Sequence, residues 1–173
     1  VFSVYIFLFI LFGAFLDRMG AADYYVRLSM AAAGSLRGGP AKAAIFASAM
    51  TGSITGSANA NVATTGPFTI PMMKKSGFKP EVAAGIETAA STGGQIMPPI
   101  MGASAFLIVE FTGISYWEVV KVSILPAVLY FLSVYTIVHL EARKGGLVGI
   151  PREQLESVPK VLIEGWYYLV PPV

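Results

Sequence analysis

The chain has 173 residues, 55% of them hydrophobic and 13% charged, with a mean hydropathy of +0.67. That exceeds what a soluble domain of this length needs for one core, so composition points to an integral membrane protein. A net charge of +2 in short basic clusters argues against a nucleic-acid surface, and the lack of cysteine excludes disulfides, thiolate catalysis and cysteine metal sites.

Residues 1–16, VFSVYIFLFILFGAFL, read as the end of a spanning helix rather than a signal peptide, because no basic stretch precedes the apolar run. Residues 17–40 carry Asp17, Arg18, Asp23, Arg27 and Arg37 and predict an interfacial amphipathic segment closing in the basic turn RGGPAK. A stretch without any charge follows, from Ala43 to Met73, bounded by Lys42 and by Lys74, Lys75 and Lys79. Residues 80–112 form a second apolar segment interrupted at STGGQIMPP, Ser91 to Pro99. Residues 117–140 predict a spanning helix ending in HLEARKGG. Residues 141–165 predict a polar, cytoplasmic linker, and 166–173, WYYLVPPV, the start of another membrane segment. Both ends therefore suggest a piece of a larger permease-sized chain.

The charge-free stretch holds the most informative chemistry. Its centre, TGSITGSANANVATTG, carries hydroxyl or amide side chains at Thr51, Ser53, Thr55, Ser57, Asn59 and Asn61, every second residue. A helix hiding polar groups on one face spaces them three and four apart, so the alternation predicts an irregular tip instead. Irregular backbone at membrane depth is tolerated only where it lines a cavity or an ion site. The 31 residues, as one helix, would extend roughly 46 Å against a hydrocarbon core of about 30 Å. Split at the tip, arms of about 8 and 12 residues form a re-entrant hairpin over 41–73, both ends basic and on the cytoplasmic side.

At the second interruption, Pro98 and Pro99 lack amide hydrogens and Gly93 and Gly94 tolerate unusual backbone angles, so the helix should break near the bilayer middle. Broken helices free carbonyls for a cation and amides for an anionic substrate group. Neither interruption contains a carboxylate, which favours a monovalent ion such as sodium over a divalent one. Plainer readings compete at each point. Gly52 and Gly56 have the GxxxG spacing of ordinary helix packing, and Pro98–Pro99 can be a simple kink. Lys121 reads as a snorkelling residue and His139 with Glu141 as an interfacial cap. Glu87 suits an interfacial position better than a proton relay. A channel also accommodates re-entrant backbone. An intramembrane serine hydrolase lacks a GxSxG elbow and a placed base, and no GxxxxGK[ST] phosphate loop is present.

The run from GSANANVATTGPFTIPMMKKSGFKP through IETAASTGGQIMPPIMGASAF to SYWEV, followed by a helix and HLEARKGGL, resembles the large membrane subunit of tripartite ATP-independent periplasmic (TRAP) transporters. It is most similar to the fused permeases of the TAXI branch, and the resemblance covers about residues 13–147. It implies an all-α polytopic protein of the bacterial or archaeal inner membrane, one half of an inverted-repeat, elevator-type secondary transporter and not an enzyme. It implies sodium as coupling ion, an organic-anion substrate such as a dicarboxylate or glutamate-like acid, a periplasmic substrate-binding protein, and a small membrane subunit or its fused equivalent. It also implies that Ser53, Ser57, Asn59 and Asn61, the expected sodium ligands, share one ion and substrate site with Thr92, Gly93 and Gly94.

Overall fold

The computed structural model describes residues 2–168. Among these residues eight helices follow in order: α1 (Phe2–Arg18), α2 (Ala21–Ala33), α3 (Gly39–Thr55), α4 (Ala58–Lys75), α5 (Pro80–Gly93), α6 (Ala103–Thr112), α7 (Tyr116–Lys144) and α8 (Val158–Gly165). Short 3-10 turns occupy Gly94–Ile96, Arg152–Gln154 and Trp166–Tyr168, and no strand occurs among the described residues. Of the membrane segment expected from 166, only that last turn is described, and 169–173 lie outside.

Boundaries follow local chemistry. Gly38, at φ 66°, and Pro40 start α3, while Ser115 and Glu118 form a reciprocal capping box at the start of α7. Between α3 and α4 only Gly56 and Ser57 are non-helical. Gly56 takes φ 60°, which a side chain resists, and the Ser57 hydroxyl accepts a hydrogen bond from the Ala60 amide at 3.3 Å. The chain thus reverses in two residues.

The two arms are antiparallel, since Ala41, Ala44 and Ile45 at the start of α3 share a buried cluster with Met73 at the end of α4. Ala83, Ile86 and Ala90 of α5 and Val138 and Ala142 of α7 complete it. Alanine dominates the cluster, which lets the helices approach closely, and Ile45, Met73 and Val138 are fully buried in it. α7, 29 residues long, is the one helix among the described residues long and apolar enough to cross a membrane, and Val122, Leu125, Leu129 and Ile137 are exposed along it.

Several expectations are corrected. The arms contain 17 and 18 residues rather than about 8 and 12, giving roughly 26 Å each, close to the hydrocarbon thickness. The polar centre is helical on both sides of its two-residue break. Asn61, Thr65 and Thr69, four apart, form one buried face of α4, and the threonine hydroxyls donate to carbonyls one turn earlier, so polar groups stay inside regular helix. Glu87 lies inside the helix packing rather than on its surface. It has no exposed surface, because Thr65 and Thr69 of α4 enclose its carboxyl against α5. His139 caps nothing with Glu141; its Nδ1 lies 3.1 Å from Nζ of Lys42, which is buried over the Tyr135 ring.

Beyond α7 the chain folds back onto α2. Val161 is buried with Tyr24 and Tyr25, Tyr25 donates to the Tyr168 carbonyl at 2.7 Å, and Arg27 pairs with Glu156 at 2.6 Å and Glu164 at 2.9 Å. A side chain on Gly165 would strike the Tyr24 ring, at 2.2 Å from Cε2. Part of the segment expected as a polar linker is therefore docked on α2.

Two outcomes follow from this architecture. Single cysteines replacing exposed Arg37 and Lys74, at the paired ends of the hairpin, should react with a membrane-impermeant thiol reagent from the same face; labelling from opposite faces contradicts the antiparallel arms. The hydrogen bond from Arg27 holds the Glu156 carboxyl below its ordinary range. A lowered value stabilises docking above the unfolded value of about 4.3 and loses that contribution as pH falls through the folded one. Limited proteolysis within 145–157 should accelerate only at such acid pH, and Glu156→Gln should cleave faster than the parent at neutral pH.

Candidate ion and substrate site

The two helix interruptions meet. Gly52 in the last turn of α3 lies against Gly94 at the end of α5 so closely that a β-carbon on Gly52 would stand 2.3 Å from the Gly94 Cα. A β-carbon on Gly56 would stand 1.8 Å from the Met101 carbonyl oxygen. Backbone hydrogen bonds tie the same segments, from the Ile100 amide to the Ser53 carbonyl at 3.2 Å and from the Gly102 amide to the Gln95 carbonyl at 2.7 Å. The Tyr116 hydroxyl lies 2.7 and 2.6 Å from the carbonyl oxygens of Pro99 and Ile100. The peptide bond between Pro98 and Pro99 is cis. Met101 takes φ 57°, which costs a non-glycine residue roughly 1–2 kcal/mol and is held by this packing.

Between tip and break opens a pocket of about 380 Å³, whose lining includes Thr55, Ser57, Asn59, Gln95, Met101 and Phe106. Four helix ends converge there. α3 ends and α4 begins on one side, and the α5 turn ends and α6 begins on the other. Helix C-termini present unpaired carbonyls and partial negative charge, and N-termini present unpaired amides and partial positive charge. A single pocket thus offers neutral oxygens suited to a monovalent cation and amides suited to a carboxylate. Among the described residues no group of three His, Asp or Glu gathers as a metal cluster.

The residues singled out from sequence occupy different places. Ser57 and Asn59 line the pocket. Ser53 turns its hydroxyl to the Met50 carbonyl at 2.7 Å. Asn61 sits one turn behind the tip, fully buried, its Nδ2 donating to the Ser48 carbonyl at 2.8 Å and its Oδ1 3.3 Å from the Thr65 hydroxyl. It ties α4 to α3. Thr92 is exposed and donates to the Thr88 carbonyl at 2.8 Å. Gly93 faces α7, where a β-carbon would come within 2.6 Å of the Tyr130 ring, and Gly94 faces Gly52. Gln95, Met101 and Phe106 were not singled out. For Gln95 a signal existed, as the only amide side chain in STGGQIMPP; Met101 and Phe106 carried none, being apolar residues in an apolar run.

Comparison with known proteins is consistent in direction. The family model described as "Tripartite ATP-independent periplasmic transporter, DctM component" matches residues 1–173. A Pseudomonas aeruginosa protein named C4-dicarboxylate TRAP transporter large permease protein DctM is 30% identical over 149 residues, 86% of this chain and 34% of its own length. Its namesake from Vibrio cholerae is 29% identical over 160 residues, 91% of this chain and 32% of its own. An uncharacterised Salmonella typhimurium protein, YgiK, is 32% identical over 139 residues, 79% of this chain and 31% of its own. The chain spans about a third of the length of these curated relatives.

The backbone contact between the interruptions sets an expectation for stability. Gly94→Ala should lower thermal stability in detergent by about 1–3 kcal/mol or prevent accumulation, because the new methyl meets backbone rather than a movable side chain. Asn61→Ala should cost about 1–3 kcal/mol by removing the buried hydrogen bond that ties α4 to the Ser48 carbonyl of α3 and leaving its volume empty. Gly85→Ala, where nothing lies within 4 Å of the added carbon, should be neutral or stabilising by up to about 1 kcal/mol. Equal behaviour of the three would show that the Gly52–Gly94 contact has no structural role.

Proposed function

Because this chain belongs to the tripartite ATP-independent periplasmic transporter DctM component family, whose large permeases are integral inner-membrane proteins and not enzymes, we propose that it forms the hairpin half of a sodium-driven importer of organic acids. The observation that carries this reading is the convergence of four helix ends on one pocket between tip and break. In this proposal sodium, stripped of water, is held by the oxygens of Ser57 and Asn59 with carbonyls ending α3. The substrate carboxylate is held by amides opening α4 and α6 and by the Gln95 side chain. Ser53, Asn61 and Gly94 contribute by fixing the two interruptions against each other, Gly93 seats the break on α7, and Thr92, exposed and bonded within its own helix, takes no part.

The relatives named for C4-dicarboxylate transport support a dicarboxylate as substrate, delivered by a periplasmic binding protein with a small membrane subunit or its fused, TAXI-like equivalent as partner. Coupling arises because the ion and the anion share helix ends. Sodium neutralises the carbonyl ends of α3 and lowers the cost of bringing a carboxylate beside them. An elevator movement would then carry the hairpin with its cargo, the second repeat supplying the rest of the site.

Uptake of labelled dicarboxylates into proteoliposomes containing the full-length permease and its binding protein, under imposed sodium gradients, tests this. The parent should show saturable uptake that stops without sodium. Asn59→Ala should raise the sodium concentration for half-maximal uptake by about tenfold at normal expression, the equivalent of one lost hydrogen bond or ligand near 1.4 kcal/mol. Thr92→Ala should stay close to the parent. Non-saturating flux independent of sodium would favour a channel instead.

A further inference from the structure

Glu87 is the one completely buried carboxyl among the described residues, and it lies outside the pocket lining. It projects from the middle of α5 into the seam with α4. Its Oε1 contacts the Thr65 hydroxyl, its Oε2 lies 2.6 Å from the Thr69 hydroxyl, and the Ser91 hydroxyl lies 3.4 Å from Oε1. Gly66 of α4 lies beside it, a β-carbon there standing at ordinary contact distance, 3.7 Å, from the Glu87 Cγ.

No cation meets this carboxyl. The ion pairs among the described residues all involve Arg27 or Lys160, far along the chain at the α2–α8 contact. On the helices packed around Glu87, the charged groups are engaged elsewhere or exposed. Lys42 of α3 faces His139 and Tyr135 of α7, Lys74 and Lys75 of α4 and Glu81 of α5 are exposed, and the remaining charged residues of α7 are exposed. The Tyr130 hydroxyl donates to the Ala89 carbonyl.

The hydrogens available around the carboxyl bear on its protonation state. The Thr65 hydroxyl has one hydrogen but lies within reach of both Glu87 and the Asn61 carbonyl at 2.8 Å. The Thr69 hydroxyl has one hydrogen but lies within reach of both Glu87 and the Thr65 carbonyl at 3.0 Å. With the Ser91 hydroxyl and the Asn61 Oδ1 included, six contacts share three hydroxyl hydrogens if Glu87 is a carboxylate. A carboxyl hydrogen supplies a fourth: Glu87 donates to one threonine oxygen, which passes its own hydrogen to the carbonyl a turn earlier. An uncompensated charge in a fully buried seam is strongly disfavoured, and a neutral acid with hydroxyl partners is not.

We propose that Glu87 is a proton-binding site at the seam between the hairpin and the broken helix, loaded with one proton while α4 and α5 are packed together. Binding is the simple step Glu87 carboxylate plus one proton from water giving the carboxylic acid, and separation of α5 from α4 reverses it. The site is independent of the proposed sodium site, so either can fail alone.

The test uses the full-length permease in lipid vesicles and infrared spectroscopy. At about pH 7, well above an ordinary glutamate near 4.3, the parent should show a protonated-carboxyl C=O band that Glu87→Gln removes. Glu87→Gln, whose amide imitates the neutral acid, should also keep the thermal stability of the parent near neutral pH and lose less of it on alkaline titration. If Glu87→Gln does not accumulate, the band should shift in Thr69→Val, which deletes one hydroxyl partner at constant shape. Loss of only ionised-carboxylate bands in Glu87→Gln, or an unshifted band in Thr69→Val, overturns the proposal.

Discussion

The structure depends on the backbone contact between Gly52 and Gly94. Two chain interruptions separated by some forty residues approach so closely that neither position has space for a β-carbon. Everything at the pocket follows from that approach. It brings the tip at Gly56–Ser57 beside Met101 and Gly102, allows the Ile100 amide to reach the Ser53 carbonyl, and sets four helix termini around one volume. Without side chains at the contact, register is held by hydrogen bonds and by Asn61, whose amide crosses from α4 to the Ser48 carbonyl directly behind it.

Polar groups are accommodated here in two different ways. Along α4 and α5, hydroxyls of Thr65, Thr69, Thr88 and Thr92 donate to carbonyls one turn earlier, which satisfies them without interrupting the helix. At the tip and break the opposite holds: the backbone itself is released, and the pocket is lined by groups whose partners lie outside the helix ladder. The first arrangement builds a tight seam around Glu87, and the second leaves a concave opening. A stretch rich in serine, threonine and asparagine therefore packs between helices over most of its length and lines the pocket over a few residues.

The remaining helices frame these parts. α7 buries Val138 and Ala142 against the hairpin base and leaves its other face apolar and exposed, while Tyr130 and Phe131 fill the space that Gly93 leaves open. α2, covered by α8 through Tyr24, Val161 and the Arg27 pairs, braces α3 from the other side. Ion pairs concentrate in this outer layer, where water keeps them inexpensive, and the hairpin interior has none among the described residues.

The sequence by itself determined the membrane setting, the all-helical class, the hairpin bounded by Lys42 and Lys74 and the break at STGGQIMPP. These depend on local properties: apolar run length, charge-free stretches, and the missing amides of Pro98 and Pro99. Of the site, Ser57 and Asn59 were legible because their chemistry stands at a glycine-marked turn. The extent of the break was not. Alternating polar residues from Thr51 to Asn61 mimicked irregular backbone, yet tertiary contacts placed each polar side chain against a carbonyl or a neighbouring helix and kept the helices intact to within two residues. Only the tertiary structure decided that Asn61 is a tie rather than a lining residue, that Gln95 and Met101 enter the pocket, and that Glu87 is enclosed. Burial is a property of what a second helix brings to a residue, and α4 meets Glu87 from 18 to 22 positions away along the chain.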